Sequence, residues 1–342
     1  MPKIVVVRGI GAFLGLMGLA APAAAQSVEE FYRGKQIEVI IGSTSGGAYD
    51  MWGRLLSRHM GKFIPGRPAL IPRNMPGAGT MTAANHIFNQ APRDGTVLGL
   101  VSRNMPTQDV LGHQSVRFKT AEFNWIGSPE MTKRICVAVD GAKVQKAEDI
   151  FSAELIVGGV AGTAITTTPT LLDKLLGMKF KVVNGYPGGT EVFHAMEKRE
   201  VDGICQTWAA VEGAHPGWIK QGKIKVLFNL EAEPLADLRA PSIHRFAKTD
   251  EQKQIIAFYN SNAELGRPVM TTPGVPENRV QALRRAFDAT MADKDFVGEA
   301  TKLGLEVSPL TGEAVSAVAA MIAATPKGII DKTVELVGSL GE

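Results

Sequence analysis

Ile37 to Met60 reads IEVIIGSTSGGAYDMWGRLLSRHM. Ile37-Glu38-Val39-Ile40-Ile41 is β-branched and nearly all apolar, the composition of a strand buried on both faces. Gly42-Ser43-Thr44-Ser45-Gly46-Gly47 cannot continue that strand, because glycine supplies free backbone and no packing surface. From Ala48 onward Trp52, Leu55, Leu56, His59 and Met60 fall at i, i+3, i+4, i+7 and i+8, one face of a helix. A strand that turns through glycines into a helix start leaves unpaired N–H groups aimed at one spot. The helix dipole favours an anion at the same spot.

The design recurs along the chain. Ala69-Leu70-Ile71-Pro72 is extended, with a proline that suits an edge strand, and the loop Asn74-Met75-Pro76-Gly77-Ala78-Gly79 leads into a helix over about 80–90. Thr96 to Ser102 is a strand whose end, Ser102-Arg103-Asn104, points polar groups to the region of both loops if the sheet is parallel. Leu155-Ile156-Val157 runs through Gly158 to Thr163 into a helix over about 168–176, and Phe180 to Asn184 runs through Gly185-Tyr186-Pro187-Gly188-Gly189-Thr190 into a helix ending at Lys198. Val201 to Cys205 is a strand ending in Gln206, Thr207 and Trp208.

Two short extended runs, Phe123 to Gly127 and Ile135 to Val139, flank a crossing into a second lobe near Ser128-Pro129. Ile224 to Leu230 is a strand read as returning the chain to the first lobe, and mostly helical sequence follows. In it Val280, Leu283, Phe287 and Met291 share a face. The expected fold is α/β and two-lobed, each lobe a mostly parallel sheet flanked by helices. Lobe I takes residues 26–128 and 226–342, lobe II the inserted residues 129–225, and two crossing segments form a hinge with the glycine loops facing a cleft.

Residues 1–25 read as a signal peptide. Lys3 and Arg8 form a positive start, Ile10 to Ala21 an apolar run too short to span a membrane, and Ala23-Ala24-Ala25 a small-residue cleavage site. A secreted, periplasmic protein follows. Lys and Arg number 37 against 34 acidic residues, and two of the basic ones lie in the leader, so the mature chain is near neutral. Near neutrality argues against broad nucleic-acid or membrane-surface binding. Cys136 and Cys205 are the only cysteines. In an oxidising compartment they are a disulfide candidate, but each lies in an apolar run, and two buried thiols fit as well.

The residues offer little catalytic chemistry. No glycine loop matches G-x-x-x-x-G-K-[ST], and no G-x-G-x-x-G follows a strand. Thr44 stands where a nucleophile elbow has serine, with no histidine–acid pair tied to it. No H-E-x-x-H or close His/Cys/Asp set supports a metal, and no cofactor is implied. Asp50, in the first turn of the opening helix, complements the dipole or caps the backbone, or else accepts a hydrogen bond from a ligand. Ser43, Ser45, Thr80, Thr163 and Thr190 can hold a carboxylate with neutral hydroxyls. Arg103 and Arg134 add charge or face solvent, and Tyr49 and Trp208 wall the cleft or join the core.

The chain resembles the solute-receptor family of the tripartite tricarboxylate transporters, the TctC-like or Bug proteins. The carriers are Lys35-Gln36-Ile37, Gly46-Gly47-Ala48-Tyr49-Asp50 for a GG-x-x-D turn, and Asn74 to Gly79 for an N-x-PGAG segment. Ala91 to Thr96, Gly185 to Gly189 with Glu200-Val201-Asp202-Gly203, and Pro273-Gly274-Val275-Pro276 continue the likeness through most of the chain. The resemblance implies a type II periplasmic binding fold that closes on a small organic acid and delivers it to a permease pair of one large and one small membrane subunit. A monomer without enzymatic activity is expected. By position it places the grip on carboxylate in Ser43 to Asp50, Met75 to Gly79, Ala161-Gly162-Thr163-Ala164 and Tyr186 to Thr190. Ser102, Arg103 and Gln206 complete the expected site. Gln206 stands where an aspartate is often found, and STSGGAYD replaces a more proline-rich loop, so the ligand's identity stays open. The rival reading is an α/β enzyme acting on an acid in the same cleft, or a receptor feeding another transporter or a sensor.

Overall fold

Ser27 opens the first ordered element of this computed structural model, which describes residues 1, 3 and 26–338. The expected signal peptide therefore lies, but for Met1 and Lys3, outside the described residues. The Ser27 hydroxyl accepts from the Glu30 N–H and the Glu30 carboxylate accepts from the Ser27 N–H, starting helix α1 (Val28–Tyr32). The S-x-x-E box that starts this helix stands in the sequence as Ser27-Val28-Glu29-Glu30. The next unit follows its periodicity: strand β1 (Gln36–Ile41), the glycine turn, then helix α2 (Ala48–His59) with Trp52, Leu55 and Leu56 buried. Strand β2 (Ala69–Asn74), helix α3 (Met81–Asn89), strand β3 (Val97–Leu100), helix α4 (Met105–Val110) and strand β4 (Asn124–Ser128) complete the first pass through lobe I.

The chain then enters a second sheet. It contains β5 (Arg134–Val139), β6 (Leu155–Gly159), α5 (Ala164–Leu176), β7 (Phe180–Asn184), α6 (Gly189–Glu197), β8 (Gly203–Thr207), α7 (Trp208–Ala214) and β9 (Ile224–Asn229). Helix α8 (Asp250–Leu265) leads back to β10 (Val269–Thr271), α9 (Glu277–Met291), α10 (Lys294–Lys302), β11 (Leu310–Thr311), α11 (Gly312–Ala324) and α12 (Lys327–Val337). The first sheet has the order β11-β4-β10-β3-β1-β2 and the second β7-β6-β8-β5-β9.

Both sheets are mixed rather than mostly parallel. The strands that feed glycine loops run parallel: β1 with β2 and β3, and β6 with β7 and β8. Strands β10, β11, β5 and β9 run antiparallel to their neighbours. Ile224–Asn229 also departs from expectation. It is the edge strand of the second sheet, paired with β5, and does not itself return to the first. Its apolar character gave no clue to its partner, since register and partner are tertiary properties.

The return is made by α8, which serves both cores. Ile255, Ile256 and Tyr259 join the core of the second sheet, whereas Phe258 and Leu265 join that of the first. A third crossing follows α11, because α12 packs on α5 and α8. Helix α5 begins four residues before its expected start. The hydroxyls of Thr167 and Thr168, which in isolation favour turns, meet the Tyr259 hydroxyl at 2.7 and 2.8 Å. Large side chains carry each core, among them the fully buried Trp52, Trp125, Phe228 and Phe287, each contributing roughly 1.5–3 kcal/mol. Cys136 and Cys205 stand opposite each other on β5 and β8 and are joined by a disulfide.

Candidate functional site in the interlobe cleft

Strands β1 and β3 end side by side in the first sheet, so the loops after them are brought together. Asn74, the last residue of β2, donates through Nδ2 to the Ser43 carbonyl at 3.0 Å and to Asp50 Oδ1 at 2.8 Å. Asp50 is 3% exposed. It also accepts from the Gly46 N–H, the Ser45 hydroxyl and Arg54 Nε. Of the two roles the sequence left to Asp50, the geometry supplies the first: both carboxylate oxygens clamp the glycine turn. Burial pushes this carboxyl up, but hydrogen bonds from Arg54, Gly46 and Asn74 and the Arg54 charge prevail and hold it at about 2. Its contribution is complete above the unfolded value near 4 and is lost as pH falls through about 2. Asp50→Asn is expected to cost about 2 kcal/mol at pH 7, a loss that shrinks on acidification. Urea unfolding at pH 7 and pH 2.5 checks this, and an equal loss at both values would contradict it.

With Asp50 holding the turn from below, Gly47 begins α2 without any side-chain cap, and Gly188 begins α6 in the same way. By contrast, Thr163 caps its own helix by accepting from the Ile165 N–H. The first N–H groups of α2 and α6 are thus left for a ligand or solvent, one helix on each lobe.

Three cavities are linked by shared lining residues, the middle one lined from both lobes. One of about 510 Å³ is lined by Tyr49, Ala78, Gly79, Thr80, Ser102 and Arg103, together with Gln108, His113 and Arg267. Its walls are tied together by the Ser102 N–H donating to Thr80 Oγ1 at 2.9 Å and the Arg103 N–H to the Tyr49 hydroxyl at 3.1 Å. A second, of about 330 Å³, shares Arg103 and Arg267 and adds Ala48, the crossing segment Glu130 to Lys133, and Thr207 and Trp208 from lobe II. The third, about 10 Å³, shares Thr207 and is lined by Arg134, Ala164, Thr168 and Gln206. Gly189 lies beside it, since a Cβ there would sit 3.1 Å from Gln206 Nε2.

The expected residues therefore gather in two groups. Tyr49, Ala78, Gly79, Ser102 and Arg103 line the large lobe I cavity, with Ala48 in the next one, whereas Ala164, Gly189 and Gln206 gather in lobe II. Thr44 to Gly47, Pro76, Gly77, Ala161, Gly162, Pro187 and Thr190 are exposed and line none of these three cavities, nor do the partly buried Ser43 and Gly188. Met75 and Tyr186 pack against their lobes' cores.

Several cleft residues escaped the sequence reading. Arg267, Glu130 and Thr132 belong to the crossings, which carry no glycine-loop signature. Gly266 marks the place: at φ +60°, a Cβ would lie 1.5 Å from the Glu130 carbonyl oxygen. Only glycine lets the two crossings touch there. Arg103 Nη1 donates to Thr132 Oγ1 at 2.9 Å, and Trp52 Nε1 to Glu130 Oε2 at 2.9 Å, joining lobe I to the first crossing.

No family model matches the chain. A curated protein of Cupriavidus necator, described as the UPF0065 protein in gbd 5'region, is 26% identical over 336 residues, covering 95% of each chain. A TctC solute-binding protein from Polaromonas superposes with a TM-score of 0.68 at 21% identity, over 88% of this chain and 99% of that one. MatC from Rhodopseudomonas palustris with bound malate gives a TM-score of 0.46 at 18% identity, over 89% and 99%. The Polaromonas protein shows the fold: this chain's two helix-flanked sheets are arranged as in that protein.

Proposed function

We propose, from the fold shared with a TctC solute-binding protein, that this chain is a non-catalytic extracytoplasmic receptor for a small carboxylate. The observation that carries the reading is the pair of uncapped helix N-termini, α2 and α6, on two lobes whose facing residues line adjoining cavities. Backbone N–H groups at a helix start hold an anion without a lysine or arginine, and lobe closure would carry the lobe II loops toward the lobe I cavity. In this reading the residues of Ser43 to Asp50, Met75 to Gly79, Ala161 to Ala164 and Tyr186 to Thr190 that lie exposed are contacts made on closure. The mature protein is periplasmic, a monomer, and hands its ligand to the membrane subunits of a tripartite tricarboxylate-type transporter. Its lobe II begins near residue 129 and, because β9 completes the second sheet, extends past Asn229.

A thermal-shift panel on protein freed of bound ligand by unfolding and refolding tests the reading. A ligand at about a hundred times its dissociation constant adds roughly 2.7 kcal/mol, about 4 °C for a chain of this size. A shift given by carboxylates and not by sugars or neutral amino acids, with the acid recovered unchanged, is the expected result. No shift with any acid, or consumption of one, would overturn it.

A further inference from the structure

Two acids are packed where the lobes join. Glu231 follows β9 at the exit from the second sheet, and Glu264 stands in the last turn of α8, just before the second crossing. Both crossings meet at this end of α8. The Thr132 N–H donates to the Ala263 carbonyl at 3.1 Å, and the Arg267 N–H to the Glu130 carbonyl at 3.2 Å. Glu231 is tied to the start of β5 by the Arg134 N–H, and the Leu230 N–H donates back to the Arg134 carbonyl at 3.0 Å. A rotation of one lobe against the other turns about this junction.

The junction is short of donors. Glu231 Oε2 and Asn260 Oδ1 are buried without a hydrogen-bond partner among the described residues. Asn260 is fully buried, and its amide nitrogen lies 3.4 Å from Glu264 Oε1. Buried acceptors left unpaired cost free energy, and a proton on a carboxyl turns one acceptor into a donor. Arg134 is the cation beside Glu231, and the crossings carry Glu130, Lys133 and Arg267. On α4 the residue bonded to this end of α8 is the neutral Thr107, which donates to Asn262. Burial is the main cause that raises the Glu231 carboxyl to about 7, and Glu264 adds to it against backbone hydrogen bonds and the Arg134 charge. Burial raises Glu264 too, against its bond from Asn260.

We infer that the Glu231–Glu264 pair is a proton site in the hinge, filled when the lobes close on an anion and emptied as they open, so that rising pH favours release. This rests on the receptor reading and adds regulation to it. The direction follows from electrostatics. Arg134 lines the lobe II cavity with Ala164 and Gln206, so an anion drawn there shares its positive charge with Glu231 and places a like charge nearby. Closure also removes water. Both changes disfavour an ionised carboxyl. A ligand whose binding takes up a proton binds more weakly as pH rises through the range of the site.

The test is calorimetry of the mature protein at pH 6.5, 7.5 and 8.5, in buffers of different ionisation enthalpy. The probes are succinate, benzoate and any further acid that shifts the thermal panel. The expected result is uptake of a fraction of a proton per ligand at pH 7.5, and affinity about tenfold lower at pH 8.5 than at pH 6.5. Glu231→Gln should abolish both effects, whereas Glu264→Gln removes only the like charge and should move them to lower pH. Histidine changes charge in the same range, and His113 lines the larger lobe I cavity. His113→Gln is therefore run alongside and should keep the uptake. In ligand-free protein, amide exchange of residues 130–134 and 263–267, corrected for its intrinsic pH dependence, should quicken from pH 6.5 to 8.5 in wild type and stay level in Glu231→Gln. No uptake by wild type, uptake kept in Glu231→Gln, or uptake lost in His113→Gln would overturn the proton site and leave the receptor reading standing. No binding of any acid would fail the receptor reading itself, and exchange that ignores pH would then overturn the proton site as well.

Discussion

Replacing both Cys136 and Cys205 by alanine is expected to lower stability by about 4 kcal/mol. The disulfide spans 69 residues of sequence, and tying so long a loop removes much of the unfolded chain's freedom. The loop holds β6, α5, β7 and α6, most of the second lobe, so the loss should fall there. If the chain unfolds as one unit, the melting temperature drops by about 6 °C. If lobe II unfolds separately, a second, earlier transition appears by calorimetry. Unfolding curves that superpose for wild type and variant would refute the assignment. Treatment of the wild type with a strong reductant should reproduce the variant.

The second large effect lies just past the end of β9. Glu231 is 6% exposed; its Oε1 accepts from the Arg134 N–H at 2.8 Å, and its Oε2 is buried without a partner among the described residues. Burial is the main cause that raises its carboxyl to about 7, and the neighbouring Glu264 adds to it against the backbone bonds and the Arg134 charge. A raised acid favours the fold fully below its unfolded value of about 4.5, and that benefit is lost as pH rises through about 7. Glu231→Gln keeps an oxygen for the Arg134 N–H and cannot ionise. At pH 8 it should be more stable than wild type by about 3 kcal/mol, with the gain fading by pH 5. Urea unfolding at both values decides the matter. A gain of the same size at both, or no gain at pH 8, would show that Glu231 does not titrate in this way.

The elements that border the cleft were legible where they are local. Ile37 to Ile41, the glycine turn and the 3.6-residue spacing of Trp52, Leu55 and Leu56 specify a strand, a break and a helix within two dozen residues. That unit does fold as written. Asp50 illustrates the limit. Its place in the first turn suited a cap or a ligand contact equally, and only the folded structure, with Asn74 brought alongside by β2 on Oδ1 and Gly46, Ser45 and Arg54 on Oδ2, shows both oxygens engaged. Arg267 had no local signature at all. It becomes a cleft residue because α8 spans both cores and Gly266 lets the crossings touch.

By itself, then, the sequence determined the repeated strand–glycine–helix units, the two-lobed α/β class and the lack of any familiar catalytic motif. These follow from periodicity and backbone freedom within short windows. The tertiary structure alone decided that Cys136 faces Cys205, that β9 closes the second sheet, and that three arginines gather where the lobes meet. Each of these depends on strand register or on contacts between residues far apart in the chain, and the free energy of such contacts is set by burial and charge in three dimensions.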